Sequence, residues 1–346
     1  MDPPPVAKAR RAMAKVGIGI IGCGGMGAAL AQGVAGLDTA AVRATYDELP
    51  QKADELASKY GARPCSSLEA LVSLDDLDAV VVASPQFAHA EHAIAAARAG
   101  KHVFCEKPMA VTLEDCDAMI KACHKAKVKL MIGQVCRYHA VHSKVRELAR
   151  GGDFGAPICM TVHRLGGQWG GAYTQPWRLQ HNLCGGTLLE INAHEIDFLR
   201  WVCGEVEAVY ATGGFYVDRR LDYPDLALVT LHFASGAKGL LHAGQVSAIG
   251  GYGGRVDCER GSIVFPAIWG ADAGLHLCKT GEKAAFLPAS EIQVEDPVRH
   301  ELRDFVDSVL NDTPPPVTGE DGRAAVEIGV AAYQSIECGE TVPLPL

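Results

Sequence analysis

The sequence has few aromatic residues and no paired cysteines. Phe, Trp and Tyr make up 6% of the 346 residues, and no two of the 12 cysteines stand in a C-x-x-C arrangement. This spacing excludes the paired ligands of a structural zinc site and the framework of a secreted disulfide protein. We interpret the cysteines as reduced, mostly buried thiols of a cytoplasmic protein, and we expect no metal site.

Basic residues are also fewer than acidic ones. Lys and Arg total 32 against 41 Asp and Glu, a formal charge of −9. A surface of that charge repels phosphate backbones, which excludes nucleic acid as an expected partner. The uncharged stretch 16–36 contains eight glycines, so it is too weakly hydrophobic for a membrane span, and we expect no membrane partner.

What the chain does contain is enough apolar sequence for two domains. Hydrophobic residues make up 48% and charged residues 21%, as in folded globular proteins. We predict a disordered leader over 1–15, a nucleotide-binding domain over 16–136, and a substrate and oligomerisation domain over 137–300. Helices over 301–346 are predicted to pack back on the nucleotide-binding domain.

The first third alternates β-branched runs with helical patterns, which predicts βαβ units around a parallel, doubly wound sheet of the Rossmann type. After residue 137 several strands follow one another without helical crossovers. That half is predicted to be an α+β domain with an open, largely antiparallel mixed sheet, covered on one face by a helix over 188–202.

A glycine-rich segment follows the first predicted strand. Gly22, Gly24, Gly25, Met26 and Gly27 form a G-x-G-x-x-G pattern that opens a small-residue helix, and Asp47 ends the next predicted strand. Glycines allow the tight turn, the approach of backbone to a diphosphate and the packing of helix on strand. The acidic residue would bind the adenine ribose hydroxyls and repel a 2′-phosphate. The pattern predicts a dinucleotide site that prefers NAD to NADP.

Further motifs are spread over nearly the whole chain. They are Pro85 with His89, Glu106-Lys107-Pro108, Arg137, Gly185-Gly186 ahead of Glu190 and His194, and the run from Thr318 to Arg323. Together they resemble the Gfo/Idh/MocA oxidoreductase family, which includes glucose–fructose oxidoreductase and inositol 2-dehydrogenase.

The resemblance implies an N-terminal Rossmann domain and a C-terminal domain whose open sheet often forms oligomers, so we expect a homodimer or homotetramer. It implies hydride transfer between a nicotinamide and a carbinol of a sugar, polyol or related ring. Lys107 matches the family's active-site lysine and His194 the histidine of its D-x-x-x-H motif. Beyond the glycine loop, the predicted cofactor contacts are Ser84, Pro85, His89, Glu106 and Lys107.

The chemistry of these residue types agrees with that role. A base that is neutral near pH 7 is needed when a hydroxyl proton leaves with the hydride, and histidine suits this task. We therefore predict that His194 is the general acid and base and that Lys107 stabilises the developing alkoxide. Glu190 is four residues from His194 on a predicted helix, so both are expected on one face.

The sequence departs from the family pattern at two positions. Glu190 stands where the motif has Asp, and Gln86 stands where many members have Asn. Glu190 either orients substrate or is a solvated helix residue, and these alternatives stay open. His89 and Arg137 could equally be structural residues.

A loop with two Trp, a Tyr and an Arg precedes the catalytic helix. Such a loop suits a sugar ring or, alternatively, a subunit interface. The predicted substrate contacts are Arg137, Arg164, Trp169, Tyr173, Trp177, Arg178 and Asn192.

The leading prediction is an NAD-dependent oxidoreductase that acts on a secondary carbinol of a sugar, inositol or sugar derivative. An alternative is an NAD-dependent glycosidase that uses transient oxidation and elimination. A non-catalytic nucleotide sensor is a third possibility, which Lys107 and His194 argue against.

Overall fold

The computed structural model describes residues 15–292 and 294–346, without the side chains of Ala172 and Tyr173. Residues 1–14 of the predicted leader lie outside the described residues. The chain forms two compact units, each assembled from separate segments. None of the helices in the described ranges is both long and apolar enough to cross a bilayer.

The first unit holds a six-stranded sheet in which all neighbouring strands are parallel, in the order β3-β2-β1-β4-β5-β6. The strands are β1 (Val16–Ile21), β2 (Ala40–Tyr46), β3 (Arg63–Pro64), β4 (Ala79–Val82), β5 (His102–Glu106) and β6 (Leu130–Gly133). The order reverses between β1 and β4. Because ligands of such sheets bind at the reversal point, the loops after β1 and β4 mark the candidate cofactor site.

Helices cover this sheet and carry recognisable end signals. They are α1 (Gly25–Ala35), α2 (Pro50–Tyr60), α3 (Leu68–Val72), α4 (Gln86–Arg98) and α5 (Leu113–Ala126). Proline occupies the first turn of α2, where no backbone N–H is needed. The Ser67 hydroxyl caps α3 by accepting from the Ala70 amide. These local signals define where α2 and α3 begin.

The second unit holds a nine-stranded mixed sheet in the order β14-β13-β12-β11-β7-β10-β9-β8-β15, in which β7 and β10 are parallel and the other pairs are antiparallel. The strands are β7 (Pro157–Leu165), β8 (Val206–Gly214), β9 (Leu226–Phe233), β10 (Lys238–Gly244), β11 (Gly251–Cys258), β12 (Gly261–Phe265), β13 (Gly274–Lys279), β14 (Ala285–Pro288) and β15 (Val342–Pro343). The predicted fold class, a Rossmann domain followed by an open, largely antiparallel sheet, is confirmed.

One face of the nine-stranded sheet is covered by helices. The short α7 (His181–Cys184) contacts α8 (Gly186–Glu190), and α6 (Ala140–Arg150), α8 and α9 (Ala193–Cys203) contact strands of the sheet. The core contains Val145 of α6 and Phe198 of α9, packed with inward residues of the strands such as Met160 and Leu241.

The two C-terminal helices, which we expected to pack on the Rossmann domain, fall into different units. Helix α10 (Pro297–Asn311) lies in the first unit, where Phe305 packs edge to face on Phe104. Helix α11 (Gly319–Cys338) contributes Ile328 and Tyr333 to the core of the second unit. The Tyr333 hydroxyl accepts a hydrogen bond from the Leu188 amide, which ties α11 to α8.

Candidate active site

The glycine loop after β1 is tightly packed at two of its positions. Gly22 has a φ of +88°, and a Cβ there would lie 2.5 Å from the amide nitrogen of Ser84, after β4. A Cβ on Gly27 would lie 1.8 Å from the carbonyl oxygen of Gly22. Side chains at either position would force the β1 loop away from its neighbours.

The same loop is open at Gly24 and Gly25. A Cβ at either position would meet no heavy atom within 4 Å. Helix α1 begins at Gly25, so its first amides have no intrahelical acceptor and form the positive end of the helix dipole. An uncrowded backbone at a helix N-terminus fits the diphosphate of a dinucleotide. Met26, next in the loop, is 47% exposed.

Asp47 braces this loop from the end of β2. Its Oδ2 accepts a hydrogen bond from the Cys23 amide at 2.7 Å, and its Oδ1 accepts from the Leu49 amide at 2.9 Å. The carboxylate therefore lies beside the glycine loop, where the ribose contact was predicted.

The segment after β4 is held by two histidines of α4. Nε2 of His89 lies 2.8 Å from the Ser84 carbonyl oxygen, so this buried nitrogen donates to it. Oγ of Ser84 lies 2.8 Å from Nδ1 of His92. Burial lowers the pKa of His92. Sequence reasoning missed His92, for which no motif existed. Pro85 precedes the first residue of α4.

Glu106 and Lys107 are consecutive but belong to different units. Glu106 is the buried last residue of β5, and its Oε1 lies close to Gly133 at the end of β6. Lys107 begins a short segment of the second unit. We therefore describe these two predicted cofactor contacts separately, Glu106 with the first unit and Lys107 with the second.

Lys107 and Arg164 bind successive backbone carbonyls. Nζ of Lys107 donates to the carbonyl oxygen of Glu190 at 2.7 Å, and Nη1 of Arg164 approaches that of Ile191 at 3.5 Å. Cations at these carbonyls stabilise the end of α8.

The predicted single helix over 188–202 is therefore wrong. Helix α8 ends at Glu190, and α9 begins at Ala193. Glu190 and His194 belong to different helices, so they do not share one helix face. The side chains that anchor the break come from distant parts of the chain, which local periodicity does not register.

Glu190 is paired with Arg178. Nη1 of Arg178 donates to Oε1 of Glu190, whose side chain is 3% exposed. The Arg178 guanidinium also stacks on the Trp177 ring, 4.4 Å from its centroid. Burial raises the pKa of Glu190, while Lys107 and Arg178 oppose that rise. The predicted residues Glu190, Arg178 and Trp177 therefore form one cluster.

His194, the second residue of α9, is buried and bound to an amide side chain. Its Nδ1 lies 3.1 Å from Oε1 of Gln134, and the residue is 8% exposed. Burial first, and then the charges of Lys107 and Arg164, hold the pKa of His194 well below its ordinary value. The imidazole is therefore neutral at pH 7. Gln134 was missed by sequence reasoning because it belongs to no motif.

A buried acid follows His194 in the chain. Oε1 of Glu195 accepts from Arg164 at 3.0 Å, and Oε2 accepts from Nδ2 of Asn192 at 2.9 Å. Oδ1 of Asn192 is buried and has no hydrogen-bond partner among the described residues. The charge of Arg164, which acts on His194, is thus balanced by Glu195.

Arg137, a predicted substrate contact, pairs with two acidic side chains. Its Nε and Nη2 donate to Asp197 at 2.7 and 2.6 Å, and its Nη1 donates to Asp321 at 3.4 Å. The guanidinium is buried and occupied by these two acids. Asp197 was not predicted, although its place on α9, three residues after His194, is visible in the sequence.

A pocket of about 200 Å³ lies within the second unit. Its polar lining comes from Arg164, Gln168 and Gln245, and Trp169 and Ile191 form part of its wall. Trp169 is 5% exposed because it packs in a small cluster with Tyr223. Gln245 was not predicted. The predicted Tyr173 side chain lies outside the described residues.

Two segments of the chain match known family profiles. Residues 16–134 match the "Oxidoreductase family, NAD-binding Rossmann fold", and residues 142–264 match the "GFO/IDH/MocA C-terminal domain". A myo-inositol 2-dehydrogenase of Thermotoga maritima is 31% identical over 335 residues, which cover 94% of this chain and 98% of that protein.

Solved structures show the same fold. An aldose-aldose oxidoreductase from Caulobacter crescentus, complexed with glycerol, superposes with a TM-score of 0.86 at 29% identity over 96% of this chain and 100% of that one. The WlbA dehydrogenase from Bordetella pertussis, in complex with NADH and UDP-GlcNAcA, gives a TM-score of 0.85 at 26% identity over the same shares.

Proposed function

The chain belongs to the GFO/IDH/MocA family of NAD-binding oxidoreductases, and on that premise we propose that it transfers a hydride between NAD and a secondary carbinol of a sugar, inositol or sugar derivative. The oxidoreductase class and the NAD cofactor predicted from the sequence are confirmed by the family match and by related structures that hold NADH. The choice of substrate and the roles of individual residues belong to the proposal.

The observation that carries the proposal is the buried His194, whose pKa is lowered by burial and by the charges of Lys107 and Arg164. A neutral imidazole accepts a proton, and the imidazolium that forms can return it. In the oxidative direction, the hydroxyl proton of the substrate passes to His194 as the O–H bond breaks and a C=O bond forms. NAD supplies the acceptor, or in reverse the donor, of the hydride at the carbinol carbon.

We assign to Lys107 the stabilisation of the substrate oxygen on which negative charge develops. An ammonium placed there stabilises the alkoxide-like transition state, and in a water-poor site that effect is larger than in bulk solvent. The hydrogen bond from Lys107 to the Glu190 carbonyl fixes the direction of its side chain. Glu190, held by Arg178, is assigned to orienting substrate hydroxyls rather than to proton transfer.

The cofactor contacts are assigned to the first unit. The open backbone at Gly24 and Gly25 would hold the diphosphate, and Asp47 would bind the adenine ribose hydroxyls. We assign Met26, Ser84, Pro85, His89 and Glu106 to the same cofactor site. We propose a preference for NAD over NADP because Asp47 would repel a 2′-phosphate.

The substrate class is supported by the pocket in the second unit. The charge of Arg164 is compensated by the buried Glu195, and the other polar lining residues, Gln168 and Gln245, are neutral amides. Such a lining suits the hydroxyl groups of an uncharged polyol ring. Asn192 provides a further buried acceptor close by.

A substrate panel tests the proposal. We expect myo-inositol, related inositols or aldoses to reduce NAD, followed by absorbance at the nicotinamide band, and Lys107→Ala or His194→Ala to reduce kcat by about a hundredfold or more. The exposed Lys59→Ala is the matched control and should be unaffected. Release of an aglycone from glycosides without accumulation of NADH would instead favour the redox-assisted glycosidase.

We also propose that the open face of the nine-stranded sheet joins copies of this chain into a homodimer or homotetramer. Large apolar side chains lie exposed on this face: Tyr210, Leu228 and Leu240 are between 38% and 41% exposed. In the register, Leu240 lies between Thr161 and Thr230, and Thr230 pairs with Tyr210, so the side chains form one continuous surface. An exposed apolar surface of this kind is typical of an interface.

We propose a cytoplasmic location because the cysteines are free thiols. All twelve cysteines are free, and seven of them are buried. Free thiols persist in reducing compartments.

A further inference from the structure

Gln134 lies directly against the ring of His194. Its Oε1 is 3.1 Å from Nδ1, and the two residues are 1% and 8% exposed. Within the part of the chain that the structure describes, this is the only hydrogen bond of the imidazole. Gln134 therefore controls the orientation of the ring.

The partner also determines where the ring proton lies. An amide oxygen accepts hydrogen bonds and cannot donate them, so Nδ1 must be the donor. A neutral imidazole has a single N–H, which leaves the lone pair on Nε2. If the amide were reversed, Nδ1 would accept, Nε2 would carry the proton, and the ring could not act as a base through Nε2.

The segment that carries Gln134 is itself connected to α9, the helix that carries His194. It follows β6 and precedes a short 3₁₀ helix, Val135–Tyr138, and its carbonyl accepts from the Arg137 amide at 2.9 Å. The Arg137 guanidinium is bound to Asp197, one turn after His194 on α9. The Arg137–Asp197 ion pair thus connects the segment that carries Gln134 to α9.

We propose that Gln134 is a positioning residue that holds His194 in its Nδ1–H tautomer, so that Nε2 receives the hydroxyl proton of the substrate. This inference rests on the proposed function, in which His194 is the acid and base. An amide fixes the tautomer without adding negative charge, whereas a carboxylate would also stabilise the imidazolium. The charged and titratable groups that act on His194 are Lys107, Arg164, His139 and His142, and each of them favours the neutral ring.

Two variants of similar size separate orientation from charge. Gln134→Met keeps the volume but removes the acceptor, and we expect kcat to fall about 10- to 100-fold while NADH affinity stays unchanged. Gln134→Glu keeps an acceptor and adds charge. We expect it to retain most of its activity and to move the acid limb of the kcat/KM profile to higher pH, because the carboxylate stabilises protonated His194.

The control is Ser335→Ala, which removes the hydrogen bonds of a buried hydroxyl with the Ala211 amide and the Glu340 carbonyl in the same unit. It should alter the unfolding midpoint but not the pH profile. Spectra of the unmodified protein with ¹⁵N-labelled histidine report the tautomer directly, with His194 identified by its absence in His194→Gln. A signal with the proton on Nδ1 is expected, and this measurement does not depend on any Gln134 variant folding.

A proton on Nε2 of His194 would overturn the inference, as would an unchanged kcat and pH profile in folded Gln134→Met. If His194→Gln keeps full activity, the proposed base is wrong and the proposed function fails at that residue. If His194→Gln is inactive while Gln134→Met behaves like the unmodified enzyme, only the role of Gln134 is lost.

Discussion

Arg178 and Glu190 form an ion pair in which the carboxylate is almost entirely buried and the guanidinium is partly exposed, at 3% and 23% of their side-chain surfaces. The longer side chain of Glu190, where the family motif has Asp, is thus engaged with Arg178. His194 is bound to Gln134 instead of to this acid. His194 and the buried Glu190 therefore have separate partners.

Removal of Arg178 should destabilise the protein in a pH-dependent way. In Arg178→Met, Glu190 loses a partner that lowers its pKa, so the already raised pKa rises further. We expect the free energy of unfolding to fall by about 1–3 kcal/mol where Glu190 is ionised. Below its folded-state pKa, Glu190 is protonated and no longer forms the ion pair. The loss of unfolding free energy caused by Arg178→Met should therefore shrink as the pH falls through the pKa of Glu190.

Urea denaturation at a series of pH values measures this effect. Arg219→Met, which removes an exposed arginine from the same unit, is the matched control and should change stability by less than about 0.5 kcal/mol. A loss that is equal at every pH would contradict the role assigned to the ion pair.

Two glycines of the β1 loop should respond differently to alanine. Gly27→Ala places a methyl group against the Gly22 carbonyl, and we expect a loss of about 2 kcal/mol or more in unfolding free energy. Gly24→Ala meets no neighbour, so it should fold normally but bind NADH more weakly, because the methyl group blocks the approach of the diphosphate. Thermal unfolding and NADH fluorescence titration measure the two effects. Unchanged NADH affinity in Gly24→Ala would place the diphosphate elsewhere.

Asp47 should control the choice between NAD and NADP. In Asp47→Asn the amide oxygen can still accept from the Cys23 amide, so the loop is retained while the charge is removed. We expect the ratio of kcat/KM for NAD to that for NADP to narrow by about tenfold or more. The neighbouring Glu48→Gln is the control. Equal use of both cofactors by the unmodified enzyme would refute this assignment.

A charge on the open sheet face should separate the subunits. Leu240→Glu inserts a carboxylate between Thr161 and Thr230 at the centre of the exposed surface, and we expect dissociation to a smaller species in analytical ultracentrifugation. Ile249→Glu is the control, since Ile249 is 88% exposed in the loop between β10 and β11. An unmodified protein that sediments as a monomer would refute the interface.

The first unit could be predicted from the sequence in most of its parts because its signals are local. The strand β1, the glycine loop and α1 follow each other within twenty residues, and each is specified by neighbours in the chain. The second unit was less accessible. The strands β11 to β14 were not predicted, and the break between α8 and α9 depends on Lys107 and Arg164, which lie far away in the chain.

The amino-acid sequence by itself determined the family and the glycine-rich loop, and it singled out Lys107 and His194 as candidate site residues. These features depend only on residue type and short spacing along the chain. Only the tertiary structure decided which side chain each one meets: Gln134 for His194, Arg178 for Glu190, and two acids for Arg137. Such pairings arise from contacts between segments that are 12 to 184 residues apart, and no local pattern encodes a distance of that kind.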